Sequence, residues 1–512
     1  MPNPYPARRA TLISLAMGYS MKNLLRPLLV GGLLVSLALP PSPVANAAGQ
    51  ALPGKVQKAL QHNKLENRAL SLAVVPLNGP GEATLFNADV SVNPASTMKL
   101  VTTYAALELL GPTHKWFTEL HSDGPLRDGV LNGNLYLKGG GDPKLNMEKL
   151  WLLLRDLRAH GVTTVTGDLV LDRSHFIQPQ LPDFDDDGGD ENRPFLVAPN
   201  SLLINLNAQR FTVRNEFGQV RILAEPPLAK VRIDNRVRSR PSPKANQCPG
   251  WANVRYHPVT QADGVSVVVT GELAQGCSTQ TYLSVLDHAS YAAGAVRSIW
   301  QELGGQILGN DRIDPVPEEA RLLVRAQSPD LVEIIRDINK YSNNTMARQL
   351  FLSLGAEFRT PADPDDAMAA QRMIRQWLAR KGIQSAHLVM ENGSGLSRAE
   401  RISARELAQL LQDAWRSPYA AEFISSMPLA AMDGTMRKRL RHTGVAGNAH
   451  IKTGTLNNVR AIAGYSRDVN GNTWAVVAIL NHPRPWGAAA VLDEILVNLY
   501  QQPRNERNTV QR

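Results

Sequence analysis

The sequence is short of several things, and each shortage closes off a class of protein. Only two cysteines, Cys248 and Cys277, occur among 512 residues. Eleven histidines are present, but none forms a His-Glu-x-x-His or comparable zinc spacing, which excludes a metallopeptidase. Net charge is small for the length: Lys and Arg number 55 against 46 Asp and Glu, a formal +9. Arg8, Arg9, Lys22 and Arg26 fall before residue 47 with no acid among them, so the chain beyond carries only +5. That is mild attraction to anionic surfaces and no nucleic-acid footprint. With 43% hydrophobic and 20% charged residues, a disordered or collagen-like chain is excluded as well.

What is present begins at the N-terminus. Met21-Lys22-Asn23-Leu24-Leu25-Arg26 is a positive segment, and Pro27 to Leu39 is an apolar run of 13 residues. A bilayer span needs roughly 20 residues. Ala45-Asn46-Ala47 supplies a small-x-small cleavage site. Residues 1–47 are therefore read as a signal peptide for export, with Met1 and Met21 both open as starts. A twin-arginine signal at Arg8-Arg9 and an uncleaved anchor are the competing readings. In an oxidising compartment Cys248 and Cys277 are expected to pair. Closing that loop contributes roughly 3 kcal/mol, and it removes cysteine from the candidate nucleophiles.

Periodicity organises the remainder. A helix is expected over Val56–Leu65, a strand over Ser71–Leu77 turning at Asn78-Gly79 to Ala83–Phe86, and a helix over Ser96–Leu110 stopped by Gly111-Pro112. Residues 118–325 carry short β-like runs such as Asn134–Leu137 and Val265–Thr270, broken by Gly and Pro. Helices return over Leu331–Lys340, after Ser342-Asn343-Asn344 with Gly355 as C-cap, and over 364–381 and 402–414. Strands over 449–454, 459–466 and 473–480, the last two joined at Asn470-Gly471, precede a helix over Ala488–Tyr500. The pattern predicts an α+β fold: one antiparallel sheet, helices on both faces, built from residues 48–117 and 326–512 and split by a mostly β insertion at 118–325.

Three motifs carry the chemistry. Ser96-Thr97-Met98-Lys99 is the one Ser-x-x-Lys and Lys452-Thr453-Gly454 the one Lys-Thr-Gly, with Ser342-Asn343-Asn344 between them. Singly each is weak; Ser91-Val92-Asn93 is a decoy for the middle one. Together and in order they describe a serine nucleophile with a lysine base. Ser96 and Lys99 share one face at a helix start. Lys99 must be partly neutral to take a proton, which burial and a nearby cation such as Lys452 achieve. Ser342 is placed to relay a proton and Asn344 to bind a substrate amide. Lys452 and Thr453 suit a terminal carboxylate, Gly454 a close approach, and the amides of Ser96 and Thr455 an oxyanion.

These residues resemble the low-molecular-mass class C penicillin-binding proteins, the penicillin-binding protein 4 type of D-alanyl-D-alanine carboxypeptidase and endopeptidase. So do Gly133-Asn134-Leu135-Tyr136-Leu137-Lys138-Gly139-Gly140-Gly141-Asp142-Pro143, Gly393-Ser394-Gly395-Leu396-Ser397-Arg398, the large insertion and its cysteine pair. The resemblance spans nearly all of the chain after residue 47. It implies a penicillin-binding/β-lactamase-like transpeptidase domain and an acyl-enzyme on Ser96. It further implies peptidoglycan stem peptides as substrate and β-lactams as covalent inhibitors. The signal peptide gives a periplasmic location, a loose membrane association is left open by the sequence, and no cofactor is expected. The resemblance also implies an insertion acid for the diamino acid's amine, best matched by Asp172 in Leu171-Asp172-Arg173-Ser174-His175-Phe176, with Arg398 lining the cleft. Asn343 and Asn392 depart from the family, which usually has Asp at both. A β-lactamase and a non-catalytic scaffold on the same fold are the rival functions. Asp183-Phe184-Asp185-Asp186-Asp187-Gly188 starts like a calcium loop, but its twelfth position is Pro194 rather than Glu, so it reads as a solvated acidic loop.

Overall fold

The computed structural model describes residues 51–180, 184, 192–242, 248 and 253–501. Residues 1–47, expected to be a signal peptide, and all of the acidic loop except Phe184 lie outside the described residues.

Near-continuous apolar runs build the central sheet. Its order is Ala449–Leu456, Val459–Arg467, Thr473–Asn481, Leu70–Pro76, Thr84–Phe86, antiparallel throughout. Leu70 pairs with Leu480 and Pro76 with Trp474, so strands from opposite ends of the chain lie side by side. Successive side chains of a strand point to opposite faces, and here both faces are covered. Ala73, Ala463, Ala475, Val477 and Ile479 pack against helices Lys99–Leu110, Leu331–Tyr341, Asn344–Phe358 and Ala404–Arg416. Leu70, Leu72, Val74, Val476, Ala478 and Leu480 pack against Gly54–His62 and Ala488–Tyr500. This is the expected α+β architecture. The helix Lys99–Leu110 is buried around its whole circumference over its first nine residues, as a helix enclosed on all sides must be.

Two local expectations are corrected. Gly355 does not cap its helix, which continues to Phe358. A Cβ there would lie 1.8 Å from the Asp366 carbonyl oxygen, so this glycine serves a close helix–helix approach. Asn470-Gly471 does not make a two-residue hairpin. The loop runs from Asp468 to Asn472, and the Asp468 carboxylate accepts from Asn470 N, Asn472 N, Asn472 Nδ2 and Trp474 Nε1.

Between the two halves of the sheet, a five-stranded mixed sheet runs Asp311–Ile313, Leu169–Asp172, Leu135–Gly139, Phe117–Ser122, Arg321–Gln327. Two three-stranded sheets fall in sequence between its strands Leu169–Asp172 and Asp311–Ile313: Gln219–Glu225, Gln209–Glu216, Ser278–Leu283, and Val231–Arg240, Gly264–Ala274, Asn253–Gln261. Phe211, Val213, Val267 and Val269 fill the core these share. Cys248 and Cys277 are joined as a disulfide with a Cα–Cα distance of 5.6 Å. This β-rich region also contains two helices absent from the strand-based reading, Met147–Ala159 and His288–Glu302. Their signals are present in hindsight: Leu150, Leu153, Leu154 and Leu157 recur at helical spacing, and Asn146 and Asp287 cap the starts.

Candidate active site

Ser96 and Lys99 are set by a change of helix type. Residues Ala95–Met98 form a 3-10 turn that runs straight into the Lys99–Leu110 α-helix. In such a turn residues three apart eclipse, and the Lys99 ammonium donates to Ser96 Oγ at 2.8 Å. It also donates to Asn344 Oδ1 at 2.6 Å and to the Ser394 carbonyl. Lys99 is wholly buried, whereas Ser96 keeps partial access to solvent.

The Ser342-Asn343-Asn344 break divides its labour. Ser342 is the left-handed C-cap of Leu331–Tyr341, with φ 56° and ψ 40°. That conformation ends one helix and turns the hydroxyl to accept from Lys452 Nζ at 2.8 Å. Asn343 faces the backbone: its Oδ1 accepts from Met346 N at 3.0 Å as the N-cap of the next helix. Asp and Asn cap equally well, so the departure from the family at this position leaves the geometry intact. Asn344 reaches back to Lys99. The three motifs thus meet as one group, with Lys99 joined to Ser96 and Asn344, and Lys452 joined to Ser342.

Both lysines are driven toward the neutral form. Burial holds Lys99 well below the ordinary lysine range, and the Lys452 charge pushes in the same direction. Glu400 opposes this and Arg348 adds to it. Burial alone brings Lys452 down to about 7. A lysine beside a serine hydroxyl becomes a competent base only when such effects free its lone pair.

Ala449–Leu456 is the edge strand of the sheet. The Ala449 carbonyl accepts from Ala430 N, and Ile451 N donates to the Pro428 carbonyl. The outer edge of its first half is therefore occupied by residues 428–430. The two-residue period of a strand carries the same outward direction to the backbone groups of Thr453 and Thr455. Consistently, the Thr453 carbonyl accepts from Lys452 Nζ at 2.7 Å. Thr453 Oγ1 donates to Thr435 Oγ1 at 2.8 Å, and Thr455 is exposed. A Cβ on Gly454 would lie 2.8 Å from the Pro94 carbonyl and 3.2 Å from Ala95 Cβ. Gly454 thereby lets the strand press against the turn that carries Ser96.

The loop 391–400 holds the other side of Lys99, and here sequence reasoning missed the decisive residue. Glu400 is wholly buried, and its Oε1 accepts from the amides of Glu391, Asn392 and Gly393 at 2.9 to 3.1 Å. Its other oxygen is buried without a hydrogen-bond partner among the described residues. Burial raises the Glu400 carboxyl, while the three amides and the Lys99 charge act to lower it. Asn392 Oδ1 accepts from Ser394 N and Ser394 Oγ, which fixes the carbonyl that Lys99 uses. The Gly393–Arg398 motif pointed to this loop, but a glutamate after it carries no sequence signal of burial.

Asp172 and Arg398 stand apart from this group. Asp172 ends strand Leu169–Asp172 and is 2% exposed. Its carboxylate accepts from Ser174 N, Ser174 Oγ and Val316 N. Exposed Arg398 donates to Asn458 Oδ1 at 3.0 Å, just beyond the edge strand, and lies over the Phe184 ring at 5.5 Å. Among the described residues no group of three or more His, Cys, Asp or Glu could hold a metal ion.

Comparison with known proteins gives the family. The family model described as D-Ala-D-Ala carboxypeptidase 3 (S13) matches residues 52–497. A D-alanyl-D-alanine carboxypeptidase of Actinomadura sp. (strain R39) is 31% identical over 439 residues, covering 81% of this chain and 79% of that protein. The D-alanyl-D-alanine carboxypeptidase DacB of Haemophilus influenzae is 25% identical over 411 residues, covering 77% of this chain and 82% of that protein. The crystal structure of penicillin-binding protein 4 from Haemophilus influenzae shares the fold, with a TM-score of 0.72 at 23% identity, covering 87% of this chain and 99% of that one. The chain belongs to the D-Ala-D-Ala carboxypeptidase 3 (S13) family and is a serine hydrolase of that class.

Proposed function

We propose that this carboxypeptidase is an exported DD-peptidase of peptidoglycan that works through an acyl-enzyme on Ser96, and that it cleaves cross-links as well as terminal D-Ala-D-Ala bonds. The observation that carries the reading is the wholly buried Lys99 at 2.8 Å from Ser96 Oγ. Neutral Lys99 takes the Ser96 proton as Oγ attacks the carbonyl between two D-alanines. The amides of Ser96 and Thr455 hold the oxyanion. Ser342, hydrogen-bonded to Lys452, passes a proton to the leaving amine, and water then releases the acyl group. Lys452 and Thr453 hold the terminal carboxylate of a substrate laid along the open edge of Ala449–Leu456, as an added strand would lie. Asn344 holds a substrate amide.

The finer assignments are ours too. Residues 1–47 direct export to the periplasm, and residues 48–117 with 326–512 form the catalytic unit around the 118–325 insertion. Among the described residues no helix is long and apolar enough to cross a membrane. Asp172 is the acid for the diamino acid's amine and Arg398 a cleft residue; Asp172 must share its carboxylate with Ser174 and Val316 to act so.

Benzylpenicillin tests the mechanism. Intact-mass analysis with peptide mapping should show a lasting adduct on Ser96, absent from Ser96→Ala, which should also lose peptide hydrolysis. Rapid penicillin turnover without an adduct would make the protein a β-lactamase. Undiminished hydrolysis by Ser96→Ala would remove the nucleophile assignment altogether.

A further inference from the structure

Phe217 is 97% exposed, more than any other large apolar side chain among the described residues. It sits with Gly218 at the tip of the hairpin joining Gln209–Glu216 to Gln219–Glu225, and both have positive φ, 52° and 83°. Glu216 pairs with Gln219, so the turn has two central residues, both left-handed. Such turns favour Asn-Gly or Gly-Gly. A phenylalanine there accepts backbone strain and displays its ring to water, serving neither the turn nor the core.

The sheet behind the tip has a consistent outer face. Phe211, Val213, Val220 and Ile222 point into the core, so Arg210, Arg214, Arg221 and Leu223 point out. Arg221 lies directly opposite Arg214, a like-charge pairing that ordinarily destabilises a sheet. Leu223 is 51% and Tyr282 53% exposed. Glu216 lies 4.0 Å from Arg214, and Glu225 is taken up by Arg210. Arg221 has no ion pair among the described residues. Residues 209–283 carry ten Lys and Arg against five Asp and Glu. That difference equals the whole excess of the chain beyond residue 47, which is balanced everywhere else.

We propose that this hairpin docks the chain onto a bilayer rich in anionic phospholipid. Phe217 enters the interface, and Arg214 and Arg221 meet headgroup phosphates. Charge complementarity selects an anionic surface, and the exposed ring at the leading point selects an apolar phase over a soluble polyanion. Arginine suits the boundary, since its stem lies along apolar surface while its head stays wet. The mode is surface attachment, worth a few side chains rather than a span.

Vesicle cosedimentation of the chain beyond residue 47 tests this, comparing phosphatidylglycerol-containing vesicles with phosphatidylcholine alone. Binding should require the anionic lipid and weaken with salt. Phe217→Asn removes the ring while supplying a residue the turn favours, so the fold is kept; its partitioning should drop about tenfold. A double Arg214→Gln, Arg221→Gln variant should lose the lipid-charge dependence, and all variants should still acylate at Ser96. An environment-sensitive dye on Phe217→Cys should shift to the blue on binding. The proposal is overturned if anionic vesicles are not bound, if Phe217→Asn partitions like the parent, or if the dye is unmoved. Retention on a soluble polyanion that ignores Phe217→Asn and matches vesicle binding would overturn it in favour of a polyanion site.

Discussion

Gly395→Ala tests whether the loop on the far side of Lys99 sets the position of Ser96. Gly395 has φ +80°, and a Cβ there would lie 1.9 Å from the Ala95 carbonyl oxygen and 2.7 Å from Ser96 N. Real Cβ contacts essentially never fall under 3.0 Å, so the two backbones must separate by at least about 1.1 Å, from those two distances. The loop cannot absorb this freely, because Glu400 pins the amides of residues 391–393 and Lys99 holds the Ser394 carbonyl. Part of the displacement therefore falls on Ser96, whose Oγ must stay near 2.8 Å from Lys99. Misplacement of a reacting group by about 1 Å can cost about 100-fold in rate. The left-handed backbone adds roughly 1–2 kcal/mol of destabilisation for an alanine. Gly382→Ala separates the two effects: φ is +70° there, with nothing within 4 Å of its Cβ. Both variants should lose a few degrees of melting temperature, but only Gly395→Ala should show penicillin acylation slowed about 100-fold. The assay is the rate of Ser96 adduct formation by mass spectrometry, alongside circular dichroism and thermal melts. A folded Gly395→Ala that acylates at the parent rate would refute the reasoning.

Further expectations concern charge and capping. Lys452, brought down to about 7, is charged below that pH and neutral above it. The kcat/KM for peptides ending in a free carboxylate should thus fall as pH rises through about 7; Lys452→Ala should abolish this limb and penalise such peptides more than an uncharged ester. Glu400→Gln removes a negative charge that raises Lys99, so the acid limb of the acylation profile should move to lower pH. An unmoved limb would reduce Glu400 to a staple of the loop. Asn343→Asp should leave stability and rate unchanged, whereas Asn343→Ala should cost about 1 kcal/mol in urea unfolding.

Much of this site was legible in the chain because its local parts obey short-range rules. A lysine three residues after a serine at a helix start shares its face, and Ser342-Asn343-Asn344 reads as a helix break. Strand Thr473–Asn481 carries an unbroken apolar run from Trp474 to Leu480, as a strand covered on both faces does. What escaped notice depended on partners distant in sequence. The helices Met147–Ala159 and His288–Glu302 were hidden by short β-like runs around them. Gly355 looked like a terminator, yet its role comes from Asp366 on the next helix. Glu400 drew no notice in the sequence, because its place is set only when the loop closes three amides upon it.

Residue types and their spacing along the chain thus single out a candidate chemistry: a hydroxyl, an amine to activate it, a second hydroxyl and a cation, each at a turn or strand end. Whether that reaction runs is settled in three dimensions. Lys99 is an ordinary charged amine until the packed core strips its water and Lys452, 353 positions later in the numbering, comes near enough for its charge to act on it. Desolvation and Coulomb repulsion depend on what surrounds a group, and no local pattern encodes the surroundings. The same holds for the edge of the sheet: residues 428–430 cover the first half of Ala449–Leu456, and among the described residues no other strand pairs with its second half.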